Sequence, residues 1–176
     1  MMALALIPYT LLMDGIYAGL VGTISTVTMG TCWVVKSIYT HQNPDATKVI
    51  RELDIERRLK LVESVINTIN KQSTKKGKMN DLEKTQIFEM VGSEVNLFND
   101  PIELCLKSLQ EIIEQIHHDL TAIDKKIAYH QTKWFNSWRS LNIKSLIETL
   151  QFHSRILDCR FNDLTKISVF LADLNK

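Results

Sequence analysis

From Pro101 to about Phe135 apolar residues return at every third or fourth position: Ile102, Cys105, Leu109, Ile112, Ile116, Leu120, Ile123 and Ile127. No internal Gly or Pro interrupts the row. That period is the signature of a helix with one face buried. Asn99-Asp100-Pro101 supplies its start. Asp100 serves as N-cap, Pro101 sits where its missing N–H is harmless, and Glu103 faces the positive end of the helix dipole. A helix this long runs on the order of 50 Å. A turn over Asn136 to Asn142 leads into a second long helix, about Ile143 to Leu174. Its stripe is Ile143, Leu146, Leu150, Leu157, Phe161, Leu164, Ile167 and Leu171. Two helices of matched length on a short connection fold back as an antiparallel hairpin.

The rest of the chain reads in the same way. Pro44 breaks the segment His41–Asp45, and Asn43 or Asp45 can cap the helix beyond it. That amphipathic helix spans Ala46 to about Gln72 through Val49, Ile50, Leu53, Ile55, Leu59, Val62, Ile66 and Ile69. Ser73 to Asn80 reads as a loop. A shorter helix comes next over about 81–98, marked by Leu82, Ile87, Phe88, Val91, Val95 and Phe98. With six glycines and three prolines in 176 residues, long helices are favoured over a many-turned sheet. The expected fold is all-α, a bundle of about four to five helices with a long C-terminal hairpin. Residues 1–40 form an apolar Gly/Thr-rich N-terminal helical segment and 45–176 the bundle, together one domain.

The N-terminal segment differs in composition. Only Asp14 and Lys36 are charged in it, and the uncharged run Gly15–Val35 is 21 residues long. Such a run reaches across a bilayer, which takes about 20 residues. Its Gly and Thr content makes insertion marginal. On a helix Gly15, Gly19, Gly22, Thr23, Thr26 and Gly30 fall near one face, and Ile16, Leu20, Ile24, Val27 and Val34 on another. Gly15-Ile-Tyr-Ala-Gly19 is a GxxxG spacing, which lets two backbones approach closely. Gly15, Gly19, Gly22, Ile16, Leu20 and Ile24 are therefore candidates for a membrane or oligomer contact. The competing reading is a soluble helix packed tightly on its neighbours. A secretory signal is not expected, because the segment lacks a basic start and a small-residue cleavage site.

Charge and motif content narrow the function classes. Net charge is +1, without the basic excess that phosphate binding requires, so no nucleic acid partner is expected. Cys32, Cys105 and Cys159 are odd in number and far apart, which fits free thiols in a reducing, cytoplasmic setting. Glu114-Gln-Ile-His117 has the E-x-x-H spacing of a di-iron bundle but occurs once, beside the core stripe. No phosphate loop, nucleophile elbow or zinc motif is present in the sequence. An enzyme, a cofactor, a metal or a small-molecule substrate is therefore not expected. His130 and His153 lie on or beside core faces, where each reads as a satisfied buried or boundary histidine, or where a contact between them would be sensitive to pH.

Two further patches could touch a partner. Lys75, Lys76 and Lys78 form a basic group suited to an anionic lipid surface, or a solvated loop. Trp134, Phe135 and Trp138 cluster at the hairpin tip, as an interfacial anchor or as a lid on the bundle. Gly15-Ile-Tyr-Ala-Gly19-Leu-Val-Gly22, the amphipathic helix from Leu53 to Ile69 and the long terminal hairpin together resemble the HeLo and mixed-lineage-kinase-like bundles of cell-death executors. The resemblance implies a non-enzymatic module whose N-terminal helix and basic patch engage membrane and drive oligomerisation. Carried over, those roles fall to Gly15, Gly19, Gly22, Lys75, Lys76 and Lys78. The alternative is a structural or adaptor protein, such as a membrane-associated viral component, with the N-terminal helix as anchor or buried contact. Expected partners are a lipid membrane, a second copy or another helical protein.

Overall fold

The computed structural model describes residues 9–77, 101–133 and 141–173, with side chains over 18–68, 101–133 and 141–169. Five helices and no strand occur among the described residues: α1 Tyr9–Thr40, α2 Pro44–Leu53, α3 Ile55–Gly77, α4 Pro101–Gln131 and α5 Lys144–Asp173. The protein is an all-α helical bundle. The expected helix over 81–98, the Asp100 cap and the turn over 136–140 lie outside the described residues.

Cross-helix hydrogen bonds set the directions. Thr23 bonds Gln110 and Thr31 meets His117, so α1 and α4 run parallel. Arg160 donates to the Ser108 carbonyl and His153 bonds Asp119, so α5 returns antiparallel to α4, as the hairpin expectation requires. Ser25 bonds Glu63 at 2.5 Å and the ring of Tyr39 lies under Arg51, so α2 and α3 return antiparallel to α1. Arg58 closes the ring by reaching Ser154 and Asp158 on α5. The core lies between these helices. Its centre is α4, which buries Leu106, Leu109, Ile112, Ile113, Ile116, Leu120, Ile123 and Ile127. Each such side chain contributes about 1.5–3 kcal/mol when taken out of water.

The single helix expected over 46–72 is two helices. Asp54 between them adopts a left-handed conformation with φ 47°, and its N–H bonds the Arg51 carbonyl. The reason is a phase error in the stripe. Ala46 and Ile50 are four residues apart, and Ile55, Leu59, Val62 and Ile66 keep steps of three or four, but Ile50 to Ile55 is a step of five. A straight helix would point those two rows about 140° apart. The break at Asp54 realigns them, and all six are buried. Asp tolerates the left-handed region better than most residues. At the start of α2 the Asn43 side chain accepts from the Ala46 N–H at 3.0 Å with Pro44 in the first turn, so Asn43 rather than Asp45 is the cap.

The loop expected over 73–80 is helical as far as Gly77, which places Lys75 and Lys76 on α3. The apolar stripe ends before them, but no breaker precedes Gly77, and polar residues propagate a helix that has already been nucleated. Lys78 lies outside the described residues.

Candidate functional site

α1 presents two different faces. The inner one is built from Ile24, Thr28, Thr31, Val35 and Ile38, all buried. The sequence does not single out the two threonines in this row as core. Thr31 donates to the Val27 carbonyl at 2.7 Å and stands 3.2 Å from His117 Nδ1, so its hydroxyl is partnered inside the seam. At the C-terminal end His41 Nδ1 lies 2.9 Å from the Gln131 side-chain oxygen, and Gln131 donates back to the His41 carbonyl at 2.9 Å. His41 Nε2 is also 3.4 Å from Asp124, at ion-pair distance. With Ser25–Glu63 and Thr23–Gln110, polar links tie α1 to α3 and α4 along its length. Of the expected contact residues, Ile24 belongs to the core and Leu20 packs against it.

The outer face reads Gly19, Gly22, Thr26, Met29, Trp33, Lys36 and Thr40, all exposed. Met29 is 72% and Trp33 74% exposed, the two most open large apolar side chains among the described residues. A Cβ added at Gly19 or Gly22 would meet nothing within 4 Å. Each glycine costs a helix up to about 1 kcal/mol relative to Ala. No close approach inside the described chain makes use of either of them. Thr26 turns its hydroxyl back onto the Gly22 carbonyl at 2.8 Å, which leaves the stripe short of free polar groups. Ala18–Thr40 is 23 residues long and apolar enough to cross a membrane, with 22% of the window buried in the bundle. Gly15 and Ile16 lie on α1, but their side-chain surroundings fall outside the described residues. The aromatic tip of Trp134, Phe135 and Trp138 lies outside them as well.

The remaining polar groups do not assemble into a catalytic arrangement among the described residues. His153 Nδ1 donates to Asp119 Oδ2 at 2.6 Å, with side-chain exposures of 17% and 8%. The pair joins α5 to α4 within the core boundary. His153 is thus a satisfied boundary histidine rather than a partner of His130, which sits eleven residues further along α4 than Asp119 and lines a different feature. A His oriented by a carboxylate is half of a general-base arrangement. The adjacent hydroxyl, Ser154, is buried and accepts from Arg58 at 2.9 Å, so it braces α3 against α5. Among the described residues no three His, Cys, Asp or Glu side chains converge as a metal site, and Glu114 is exposed. An open cleft of about 410 Å³ lies at the end of the bundle, lined by His41, Asn43, Ile127, His130, Gln131 and Leu141. Its His41 and Gln131 side chains are already bonded to each other. Burial pushes the Cys32 thiol up, aided by Glu56, and likewise that of Cys105, aided by Asp163, so neither is an activated nucleophile.

The sequence of the uncharacterized protein L717 of Acanthamoeba polyphaga mimivirus is 50% identical over 175 residues, covering 97% of this chain and 85% of the relative. The chain belongs to the same family as this mimivirus protein. No family model matches the chain, and no solved structure matches it. This chain is thus a helical bundle that shares a family with a viral protein, and among the described residues it has one helix long and apolar enough to cross a membrane.

Proposed function

We propose that this protein is a non-enzymatic assembly module, a structural or adaptor component of viral type that recognises another helical surface through the outer face of α1. One observation carries the reading. On a helix whose inner face is held by buried Ile24, Val35 and Ile38, the outer face leaves Met29 and Trp33 open beside two glycines that nothing in the described chain packs against. Aromatic and Met side chains exposed together are typical of contact surfaces. The lack of a metal cluster or an exposed nucleophile–base pair among the described residues is compatible with this reading but does not carry it.

A second reading is favoured by the span Ala18–Thr40, which has the length and apolarity of a membrane helix. Under it α1 leaves the bundle and inserts, as the resemblance to HeLo-like executors implies, with the lysines of α3 at the lipid surface. Insertion would break the bonds of Thr23, Ser25, Thr31 and His41 to α3 and α4 and uncover the Ile and Leu side chains of both. The assembly reading keeps those contacts, and it is preferred for that reason. Flotation of the full chain with anionic and neutral vesicles separates the two. The assembly reading expects the protein to stay with the soluble fraction in both. Flotation with either vesicle, or leakage of vesicle contents, would overturn it in favour of the membrane reading.

A further inference from the structure

We propose that the partner of the α1 outer face is a second copy of the same face, related by a twofold axis that sets the two α1 helices antiparallel. The proposal rests on the assembly reading and names its occupant. The stripe has a small half and a large half: Gly19, Gly22 and Thr26, then Met29, Trp33 and Lys36. The steps along it run three, four, three, four, three, so all six residues stay on one side of the helix. A twofold midway between residues 27 and 28 brings Trp33 over Gly22 of the partner, Met29 over its Thr26 and Lys36 over its Gly19. Every large side chain then meets a small one, and the same contacts are made twice, as a closed two-fold interface requires. A parallel pairing would set Trp33 against Trp33 and glycine against glycine, crowding one end and leaving a gap at the other.

Three independent features agree with this occupant. Among the described residues Gly22 has open space where its side chain would be, and an indole ring needs such room to lie on a helix backbone. Trp33 is 74% exposed and would bury most of its surface there. Thr26 has its hydroxyl satisfied by the Gly22 carbonyl, so the centre of the stripe is ready to be desolvated. The size of the face sets the strength. About 27 Å of helix from Gly19 to Lys36, ~10 Å wide, pressed against its copy buries on the order of 500 Å² in all, below the roughly 1,200 Å² of a standard specific interface. The dimer is therefore weak and reversible, forming at micromolar concentration or above.

Sedimentation velocity of the full chain, from about 1 μM to about 1 mM, covers the range in which such an interface dissociates. The expected result is a dimer fraction that rises with concentration. Trp33→Ser and Gly22→Leu are each expected to weaken it by roughly tenfold or more, as loss of a central aromatic anchor or filling of its slot does. Leu61→Ser, on the exposed side of α3, is expected to leave it unchanged. Gly22→Leu has open space at its Cβ among the described residues and replaces a poor helix former, so it is expected to fold at least as stably as the parent, and a urea titration of the variant separates lost association from misfolding. A monomer at all concentrations, or a dimer indifferent to both α1 substitutions, overturns the twofold. Either result alongside a negative flotation experiment leaves the assembly reading in place with a different partner, whereas flotation removes that reading itself.

Discussion

The two faces of α1 repeat at the same spacing and are used in opposite ways. The inner row Ile24, Thr28, Thr31, Val35, Ile38 is β-branched throughout and the outer row is Gly22, Thr26, Met29, Trp33, Lys36, but both recur at steps of three and four. Spacing therefore cannot distinguish them. The neighbours do: α3 and α4 supply Glu63, Gln110, His117, Asp124 and Gln131 to bond the inner and flanking positions, while the outer row stays exposed. The difference shows why an apolar helix is a poor indicator of a membrane. A run of 21 uncharged residues can be long enough to span and still form one wall of a helical bundle.

Substitutions break this comparison at graded strength. Ile38→Ala, in the inner row at 0% exposure, is expected to lower unfolding free energy by about 2–5 kcal/mol in urea titration, since it leaves a cavity in a packed seam. Asp119→Ala removes the acceptor of His153 at the α4–α5 seam and is expected to cost about 2 kcal/mol. Asp119→Asn keeps an oxygen there and is expected to recover part of that loss, which separates the hydrogen bond from packing. In the outer row the sign reverses. Gly22→Ala is expected to stabilise the fold by up to about 1 kcal/mol, because the helix gains propensity and the added methyl meets nothing. Trp33→Ser at low protein concentration is expected to change stability by no more than about 0.5 kcal/mol, as an exposed side chain should. A loss of several kcal/mol at Trp33, or no loss at Ile38, would exchange the two faces.

Much of the bundle is legible in the sequence. α4 is expected over Pro101–Phe135 and runs Pro101–Gln131; α5 is expected over Ile143–Leu174 and runs Lys144–Asp173. α4 carries an unbroken stripe and clear punctuation, and the row of α5 skips only the turn between Leu150 and Leu157, so local and tertiary preferences agree. The break at Asp54 contradicts the expected single helix although its signal is present, a five-residue step between Ile50 and Ile55 that one straight helix cannot absorb. The extension of α3 to Gly77 also departs from expectation, because an apolar row can end while the helix beneath it continues. The candidate face is legible only in part. Gly19 and Gly22 stand out by spacing, but Met29 and Trp33 do not, since a residue's exposure depends on which neighbours cover the helix. Likewise His153 and Asp119 are 34 residues apart, and their meeting follows from the register of two helices rather than from any local pattern.

The central claim is that α1 is held in the bundle by its inner face. Amide hydrogen exchange of the full chain, read along α1 with and without anionic vesicles, tests it most directly. The account predicts that amides from Ile24 to Ile38 are as strongly protected as those from Leu109 to Leu120 of α4, and that vesicles leave both unchanged. Exchange of α1 well ahead of α4, or a change in α1 alone when vesicles are added, would contradict it.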